Sequence, residues 1–137
     1  LGDYSDLQLP TDKSRPATFS YKGADFGFSL DKDLSAKLSK LAQDNGTTLY
    51  MVLLTSFNVL LARYSGSEDI IVGSPISNRY HHDIEGLVGF FVNTLALRNQ
   101  VDSNKSVKEL LNQISSNTLN HSLLLHLSLS LYSTVQT

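Results

Sequence analysis

The densest group of residues that could carry chemistry lies between His81 and Gly86, with the sequence His-His-Asp-Ile-Glu-Gly. Imidazole and carboxylate side chains act as general acids and bases, and they are also common zinc ligands. Adjacent side chains on an extended loop point in opposite directions, so His81 and His82 do not converge on one ion. His121 and His126 lie five residues apart, which does not match the pairing on one face of a helix. We therefore predict a solvated turn over residues 81–85 and no metal site.

Two other kinds of active site also lack their sequence pattern. Ser74 follows Gly73, but no Gly-x-Ser-x-Gly elbow surrounds this serine, so a hydrolase nucleophile is not indicated. The glycines are scattered along the chain and do not form a loop that could hold a phosphate group. The residues of this chain taken alone therefore predict no self-sufficient active site, and no catalytic residue is assigned.

The most informative polar residue is Asn93, which lies in a strand predicted over residues 87–101. Phe91, Asn93, Leu95 and Leu97 alternate at the spacing of one strand face. An asparagine among large apolar neighbours is either a buried group whose hydrogen bonds are satisfied or a group that faces a cavity. The residues alone leave both alternatives open.

Local signals predict the elements that must position this strand. Asp31 and Thr48 are placed to cap two helices. The inward face of the first helix carries Leu34, Leu38, Leu41 and Ala42. The second helix is apolar on nearly every side and ends near Gly66. Ser106 and Glu109 form a capping box for a third helix.

The remaining patterns predict strands and loops. Aromatic residues that alternate between Phe19 and Leu30 suggest a hairpin or a bulged strand, and Asp69–Gly73 reads as a buried strand. Residues 74–85 read as a loop, in which Gly73, Pro75, Asn78 and Arg79 would form a rigid turn. A sheet with a layer of helices on it would bury every apolar face, which predicts an α/β two-layer sandwich.

Composition excludes several classes of function. A chain of 137 residues suits one domain, and its net charge of −2 argues against nucleic acid because no basic face is present. The most apolar stretch, Leu49–Tyr64, is too short and too polar for a membrane span. The chain has no cysteine, which fits a reducing cytosol, so we expect a cytoplasmic protein. The absence of a signal-peptide pattern is consistent with a piece of a longer polypeptide.

Several motifs in the right order give the chain a resemblance to a known family. Residues 86–98, Gly-Leu-Val-Gly-Phe-Phe-Val-Asn-Thr-Leu-Ala-Leu-Arg, resemble a core motif of the condensation domains of nonribosomal peptide synthetases. Residues 64–79 resemble the strand and loop that precede this motif, and Leu-Pro-Thr-Asp at 9–12 resembles the segment that leads into the second half of such domains. The resemblance looks continuous over residues 7–119. Phe-Val-Asn-Thr at 91–94 favours condensation over the related epimerisation domains.

The resemblance implies a fold and a division of the chain. It implies most of the second, C-terminal subdomain of a condensation domain, half of a chloramphenicol acetyltransferase-like fold with a mixed sheet and helices on one face. Residues 1–16 are then a connector and residues 17–120 the partial subdomain. Residues 121–137 are a divergent Leu/Ser-rich tail with strand-like alternation, for which a frameshift is our hypothesis.

The resemblance also implies a function, the formation of a peptide bond between aminoacyl or peptidyl thioesters held on carrier proteins. The chain itself would bind no cofactor, because the phosphopantetheine arms of the carriers present the substrates. Its partners would be the N-terminal half of the condensation domain, the peptidyl carrier proteins and the adenylation domain. The residues that the resemblance assigns to the substrate tunnel or its motif are Asn78, Arg79, Gly89, Phe91, Asn93 and Thr94.

The family's catalytic motif, His-His-x-x-x-Asp-Gly, belongs to the other half of the domain. Residues 81–86 come one residue short of it and carry Glu85 in place of the aspartate, so we interpret the similarity as coincidence. We therefore expect the chain alone to be inactive. Two alternatives stay open: an inactive remnant or interaction module of this fold, and a fragment of a related acyltransferase that uses acyl-coenzyme A.

Overall fold

A computed structural model describes residues 3–4, 6–14, 16–18, 23–77, 88 and 92–135, with side chains described as far as His121 except that of Ser77. Two helices are followed by two strands and a third helix. In chain order these elements are α1 (Lys32–Asp44), α2 (Leu49–Ser65), β1 (Asp69–Ser77), β2 (Val92–Gln100) and α3 (Val107–Val135).

The predicted caps of α1 and α2 are confirmed. An Asp31 carboxylate oxygen accepts a hydrogen bond from the backbone N–H of Leu34 at 2.8 Å, and the Thr48 hydroxyl accepts one from Met51 at 3.2 Å. Helix α2 is capped at its C-terminal end by Gly66, whose φ of 69° lies in the left-handed region that glycine adopts without strain. The apolar stripe of α1 is only partly covered, because Leu34 and Leu41 stay exposed while Ala42 is buried.

Helix α3 begins at the predicted capping box and extends further than expected. The Ser106 N–H donates to Glu109 Oε2 at 2.8 Å, and the Glu109 N–H donates to the Ser106 hydroxyl at 3.3 Å. The helix runs for 29 residues to Val135, so the strand-like interpretation of the tail is wrong for residues 121–135. Leucine is a strong helix former, and extending a helix that has already started needs no partner chain.

Strands β1 and β2 form an antiparallel pair with Asp69 opposite Gln100 and Ser77 opposite Val92. β1 is four residues longer than predicted, so the expected loop and rigid turn from Ser74 are wrong as far as Ser77. Pairing with β2 supplies the hydrogen-bond partners that keep this segment extended. Val101 donates its N–H to the Glu68 carbonyl at 2.7 Å, so by alternation the backbone groups of Ile70 face β2 and those of Ile71 face outward.

Helices α2 and α3 pack on the same face of this pair. The main cluster of buried side chains joins α2, both strands, the following loop and α3, with Ile70 and Ile114 fully buried. The members of this cluster are Leu54, Ile70, Leu97, Val101, Leu110 and Ile114. The α/β architecture with helices on one face of the sheet is confirmed, and the two described strands are antiparallel to each other.

The strand expected near the N-terminus is not formed over residues 23–30, which have no regular structure. Phe26 and Phe28 are 90% and 77% exposed there. An extended segment becomes a strand only when a neighbour accepts and donates its backbone hydrogen bonds, and none of the described residues does so here. Phe19 and Tyr21 lie outside the described residues.

Within the described part of the chain, no single helix has the length and hydrophobicity of a membrane span. The one helix pair that reaches both limits together, α1 with α2, bends by 105° at its break.

Candidate functional site

The sheet face that carries the helices also carries Asn93. Across the strand pair Ile70 lies opposite Asn99, Val72 opposite Leu97 and Ile76 opposite Asn93, so all these side chains share one face. Exposure rises along β2 from the buried Leu97 through the half-buried Leu95 to the exposed Asn93. Asn93 therefore lies on the core face of the sheet, just beyond the layer of side chains that covers this face.

A hydrogen bond marks the edge of that layer. Tyr50, in the first turn of α2, approaches Ser74 on β1, with 2.7 Å between the two hydroxyl oxygens. Ser74 pairs with Leu95, two residues from Asn93 on the same face. The first turn of α2 thus covers the buried part of the sheet as far as this contact, and Asn93 lies beyond it.

The side chain of Asn93 has a fixed acceptor and an available donor. Its Oδ1 accepts a hydrogen bond from the backbone N–H of Thr94 at 2.8 Å. Among the described residues its amide N–H groups have no partner, and such groups can donate to a carbonyl oxygen. Of the two alternatives left open by the sequence, the exposed position of Asn93 excludes the buried, satisfied one for the chain as described.

Thr94 lies on the opposite face of β2 and is also exposed, across from Pro75. A β-carbon added at Gly73 would lie 3.2 Å from the Thr94 methyl group, which is closer than most such contacts. The lack of a side chain at Gly73 therefore leaves room for Thr94 on the adjacent strand. Gly73 lies within β1 and not in the turn that was predicted for it.

The other predicted site residues lie outside the described residues: Asn78, Arg79, Gly89 and Phe91. The same holds for His81, His82, Asp83 and Glu85. The register nevertheless places Ser77, which precedes Asn78, opposite Val92, which precedes Asn93. The structure thus brings Ser77, near the end of one sequence motif, next to Val92, in the middle of the other.

A ladder of buried amides lies at the opposite end of β2, and the sequence prediction missed it. Asn117 of α3 donates to Asn99 Oδ1 at 3.3 Å, Asn99 donates to Asn58 Oδ1 of α2 at 3.5 Å, and Asn58 donates to the Leu54 carbonyl at 2.7 Å. Asn58 and Asn99 are 0% and 1% exposed. The signal was present, since Asn99 shares the face of Leu95 and Leu97, and Asn58 interrupts the apolar run of α2.

One ion pair joins the two strands on their outer face. Arg98 donates from Nε and Nη2 to the two carboxylate oxygens of Asp69, at 2.9 Å and 2.7 Å. These hydrogen bonds hold the pKa of the Asp69 carboxyl below its ordinary value, against a smaller opposing effect of burial. Both side chains are partly solvated, so the pair fixes strand geometry more than it adds stability.

Metal-ligating side chains do not cluster in the described part of the chain. Among the described residues no three His, Cys, Asp or Glu side chains come together. A cavity of about 460 Å³ lies between the C-terminal end of α2 and the start of α3, at the end of the sheet away from Asn93. Val59, Ala62 and Leu110 are among its lining residues, which include none of the predicted site residues.

Comparison with known proteins decides the family. Residues 2–123 match the family model of the condensation domain. The chain belongs to the condensation-domain family. It is 52% identical over 118 residues to tyrocidine synthase 3 of Brevibacillus parabrevis, a match that covers 86% of this chain and 2% of that protein.

Solved structures agree with this assignment. A four-domain nonribosomal peptide synthetase is similar over 86% of this condensation-family chain and 9% of its own, with a TM-score of 0.81 and 28% identity. The X-domain from teicoplanin biosynthesis shares the fold over 91% of this chain and 28% of its own, with a TM-score of 0.83 and 21% identity. The chain therefore spans a small part of the proteins that it resembles.

Proposed function

We propose that this chain forms part of a condensation domain that joins two carrier-bound aminoacyl or peptidyl groups. The amine of the acceptor attacks the thioester carbonyl of the donor, a C–N bond forms and the C–S bond breaks. The donor arm leaves as a thiol, and the amine loses one proton. Amines attack thioesters readily, so the reaction depends mainly on orientation and electrostatic support. The match of residues 2–123 to the family is the observation that carries the proposal.

Asn93 is the residue that we assign to the substrate tunnel. Because the Thr94 N–H occupies its Oδ1, the amide N–H groups of Asn93 are left to donate to another acceptor. A substrate or a phosphopantetheine arm carries amide carbonyl oxygens that can accept such a bond. The resemblance assigns Gly89, Phe91 and Thr94 of the same motif to the tunnel as well, and in this proposal Asn78 and Arg79 hold the loop that follows Ser77.

The partners follow from the reaction. Two carrier proteins would deliver the thioesters, an adenylation domain would load them, and the N-terminal half of the domain would supply the His-His-x-x-x-Asp-Gly motif. In this proposal the chain binds no cofactor of its own, and the complete enzyme works in the cytoplasm. The similarity to tyrocidine synthase 3 and to the four-domain nonribosomal peptide synthetase supports this assignment.

The test uses a condensation domain of tyrocidine synthase 3 in which the matched residues of this chain replace the corresponding segment. Dipeptide formation from two loaded carrier proteins is measured by mass spectrometry of the acceptor arm. We expect Asn93→Ala to lower the rate about 10- to 100-fold, somewhat less than the loss of an oxyanion-hole donor costs in other active sites. Asn112→Ala, which removes an exposed asparagine on α3, is the matched control and should not change the rate.

Each alternative has its own outcome in this assay. A folded graft without activity would favour an inactive remnant and contradict the proposal. Turnover with a free acyl-coenzyme A, but not with a carrier-bound donor, would favour the acyltransferase. Equal rates for the Asn93→Ala and unchanged grafts would exclude Asn93 from the tunnel.

A further inference from the structure

Arg98, the last residue of the motif at 86–98, makes a contact that the proposed reaction does not use. Besides its two hydrogen bonds to Asp69, it donates from Nη2 to the backbone carbonyl of Asp3 at 3.0 Å. The two residues lie 95 positions apart in the chain. Asp3 belongs to the predicted connector, residues 1–16, so the end of the motif strand contacts the segment that precedes the helices and strands.

The backbone at Asp3 adopts an uncommon conformation. Its φ is 48°, and among the described residues other than glycine it alone has a positive φ. Residues with a side chain rarely adopt this left-handed conformation, and it persists where the surrounding contacts hold it. The hydrogen bond from Arg98 to the Asp3 carbonyl is such a contact. The turn at Asp3 and the guanidinium of Arg98 therefore form one arrangement.

The guanidinium is already oriented when it meets the connector. Asp69 on the adjacent strand accepts from Nε at 2.9 Å and from Nη2 at 2.7 Å. A planar fork that is held in this way loses little further freedom when it also donates to a third acceptor. The Arg98 side chain is 34% exposed, so a passing chain segment can reach it from the solvent side.

A second attachment point gives the connector a defined path. Leu7 is half-buried and packs against the main cluster of buried side chains, which lies on the side of the helices. Arg98 lies on the outer face of the strand pair. Between Asp3 and Leu7 the connector therefore passes from one face of the pair to the other. Two contacts on opposite faces fix the direction of this segment, where a single contact would let it swing.

We propose that Arg98 anchors the connector through the backbone carbonyl of Asp3 and so positions the preceding half of the condensation domain for peptide-bond formation. This inference rests on the proposed function, because it takes the N-terminal half from the complete enzyme. Arg98 touches no reacting group in this proposal and acts as a positioning residue. The motif then has two roles along one strand, with Asn93 facing the substrate and Arg98 holding the connector.

Two substitutions at Asp3 separate this role from a purely structural one. If Arg98 only joins β1 to β2 through Asp69, the backbone conformation of Asp3 has no effect on the rest of the enzyme. Asp3→Pro forces φ to about −65° and turns the carbonyl away, while the ion pair stays intact. Asp3→Gly keeps the positive φ without strain and keeps the carbonyl. Both remove the same carboxylate, so their difference reports the turn alone.

A spin label measures the anchoring without the reaction. It is attached at Tyr4→Cys in the 137-residue chain and in the tyrocidine synthase 3 graft, which is built to carry residues 2–123 and is made free of other cysteines. The chain has no cysteine of its own, so each variant carries a single thiol. We expect a slow spectral component at position 4 that Asp3→Pro abolishes and Asp3→Gly keeps. A label at Asn112→Cys, on the exposed side of α3, is the control and should not respond.

The positioning of the two halves is measured in the graft. Pulsed EPR gives the distance from a label at position 112 to one label on the N-terminal half, and Asp3→Pro should broaden this distribution. In the peptide-forming assay Asp3→Pro should lower kcat about 10-fold and leave the KM values of both loaded carriers unchanged, because a small misplacement of reacting groups slows the reaction itself. Asp3→Gly should keep the rate of the unchanged graft.

A double variant tests whether Asp3 acts through Arg98. Arg98→Lys keeps the positive charge but loses the planar fork that serves Asp69 and Asp3 together. Adding Asp3→Pro to Arg98→Lys should lower kcat no further, since the same contact is already lost. Losses that multiply would show that Asp3 acts independently of Arg98 and would contradict the proposal.

Three other results would overturn the proposal. Equal mobility at position 4 in the unchanged and Asp3→Pro chains would show that Arg98 does not hold the connector. An unchanged distance distribution in the Asp3→Pro graft would show that the connector does not position the preceding half. Equal losses for Asp3→Pro and Asp3→Gly would assign the effect to the carboxylate and not to the turn. An unmodified graft that forms no peptide would contradict the proposed function, and the two EPR measurements would still decide this inference.

Discussion

The two ends of the β1–β2 pair are built for different purposes. At one end Ile70, Leu97 and Asn99 are buried beneath α2 and α3, and an ion pair crosses the strands. At the other end Ile76 is half-buried, and Val92 and Asn93 are exposed on the same two strands. The buried end fixes the register in which β1 and β2 pair. That register sets the position of the family motif at the exposed end. In our proposal, stability and function are thus separated along a single strand.

The largest expected effect is the loss of a core side chain at the buried end. Leu97→Ala removes a side chain that is 2% exposed, and the cavity should lower the free energy of unfolding by about 2–5 kcal/mol. Val92→Ala at the exposed end is the matched control, with an expected change of about 0.5 kcal/mol or less. Urea denaturation of both variants measures the difference. Equal losses in the free energy of unfolding at the two positions would contradict the difference between the buried and the exposed end.

A smaller effect is expected for the amide ladder. Asn99→Ala leaves the buried side-chain carbonyl of Asn58 and the half-buried amide of Asn117 without their partner, which should cost about 1–3 kcal/mol. Asn112→Ala, on the solvated side of α3, should change the free energy of unfolding by less than about 0.5 kcal/mol.

A double-mutant cycle tells whether the ladder acts as a unit. Asn99→Ala combined with Asn117→Ala should cost less than the sum of the two single substitutions, because each already breaks the same bond. Additive losses would mean that the two amides contribute separately, and the ladder would then not hold α3 to β2.

The sequence predicted local features of this fold better than distant ones. The caps at Asp31, Thr48 and Ser106 depend on residues three positions away, and all three were predicted correctly. The length of β1 depends on pairing with residues about twenty positions further along, and there the predicted loop at Ser74 was wrong. A helix cap depends on neighbouring residues, whereas the end of a strand depends on its partner strand.

The candidate site shows the same limit. Alternation along β2 placed Asn93 on the face of Leu95 and Leu97, which the register bears out. The buried asparagine on that face is Asn99, whose partners are 41 and 18 residues away in the chain. The pattern of one strand gives the face of a side chain but does not say how far along the strand the helices cover it.

Acid should weaken the buried end through Asp69. Its pKa is lower in the folded chain than in the unfolded one, so the unfolded state binds more protons as the pH falls. The stabilisation is present above the ordinary aspartate pKa and is lost as the pH falls from about 5 through the lowered value. The pKa values of Asp102 and Glu109 are also lowered, by hydrogen bonds from Asn104 and Ser106, so some acid sensitivity should persist in any Asp69 variant.

The measurement is the free energy of unfolding between pH 6 and pH 3 for the unchanged chain and Asp69→Asn. We expect a shallower loss for the variant, because it has no carboxylate at this position to protonate. Asp25→Asn removes one negative charge from an exposed segment and serves as the control. Parallel curves for all three chains would show that the Arg98 contact makes no difference to stability.

The smallest expected effect on stability belongs to the motif end, and it is the most informative. Asn93→Ala removes one exposed hydrogen bond to the Thr94 N–H, so the free energy of unfolding should change by less than about 0.5 kcal/mol. The same substitution is expected to slow peptide-bond formation in the graft by about 10- to 100-fold. A large loss of stability with unchanged turnover would reverse the assignment of the two ends. It would make Asn93 a structural residue, and it would move the search for the tunnel to the residues that lead into β2.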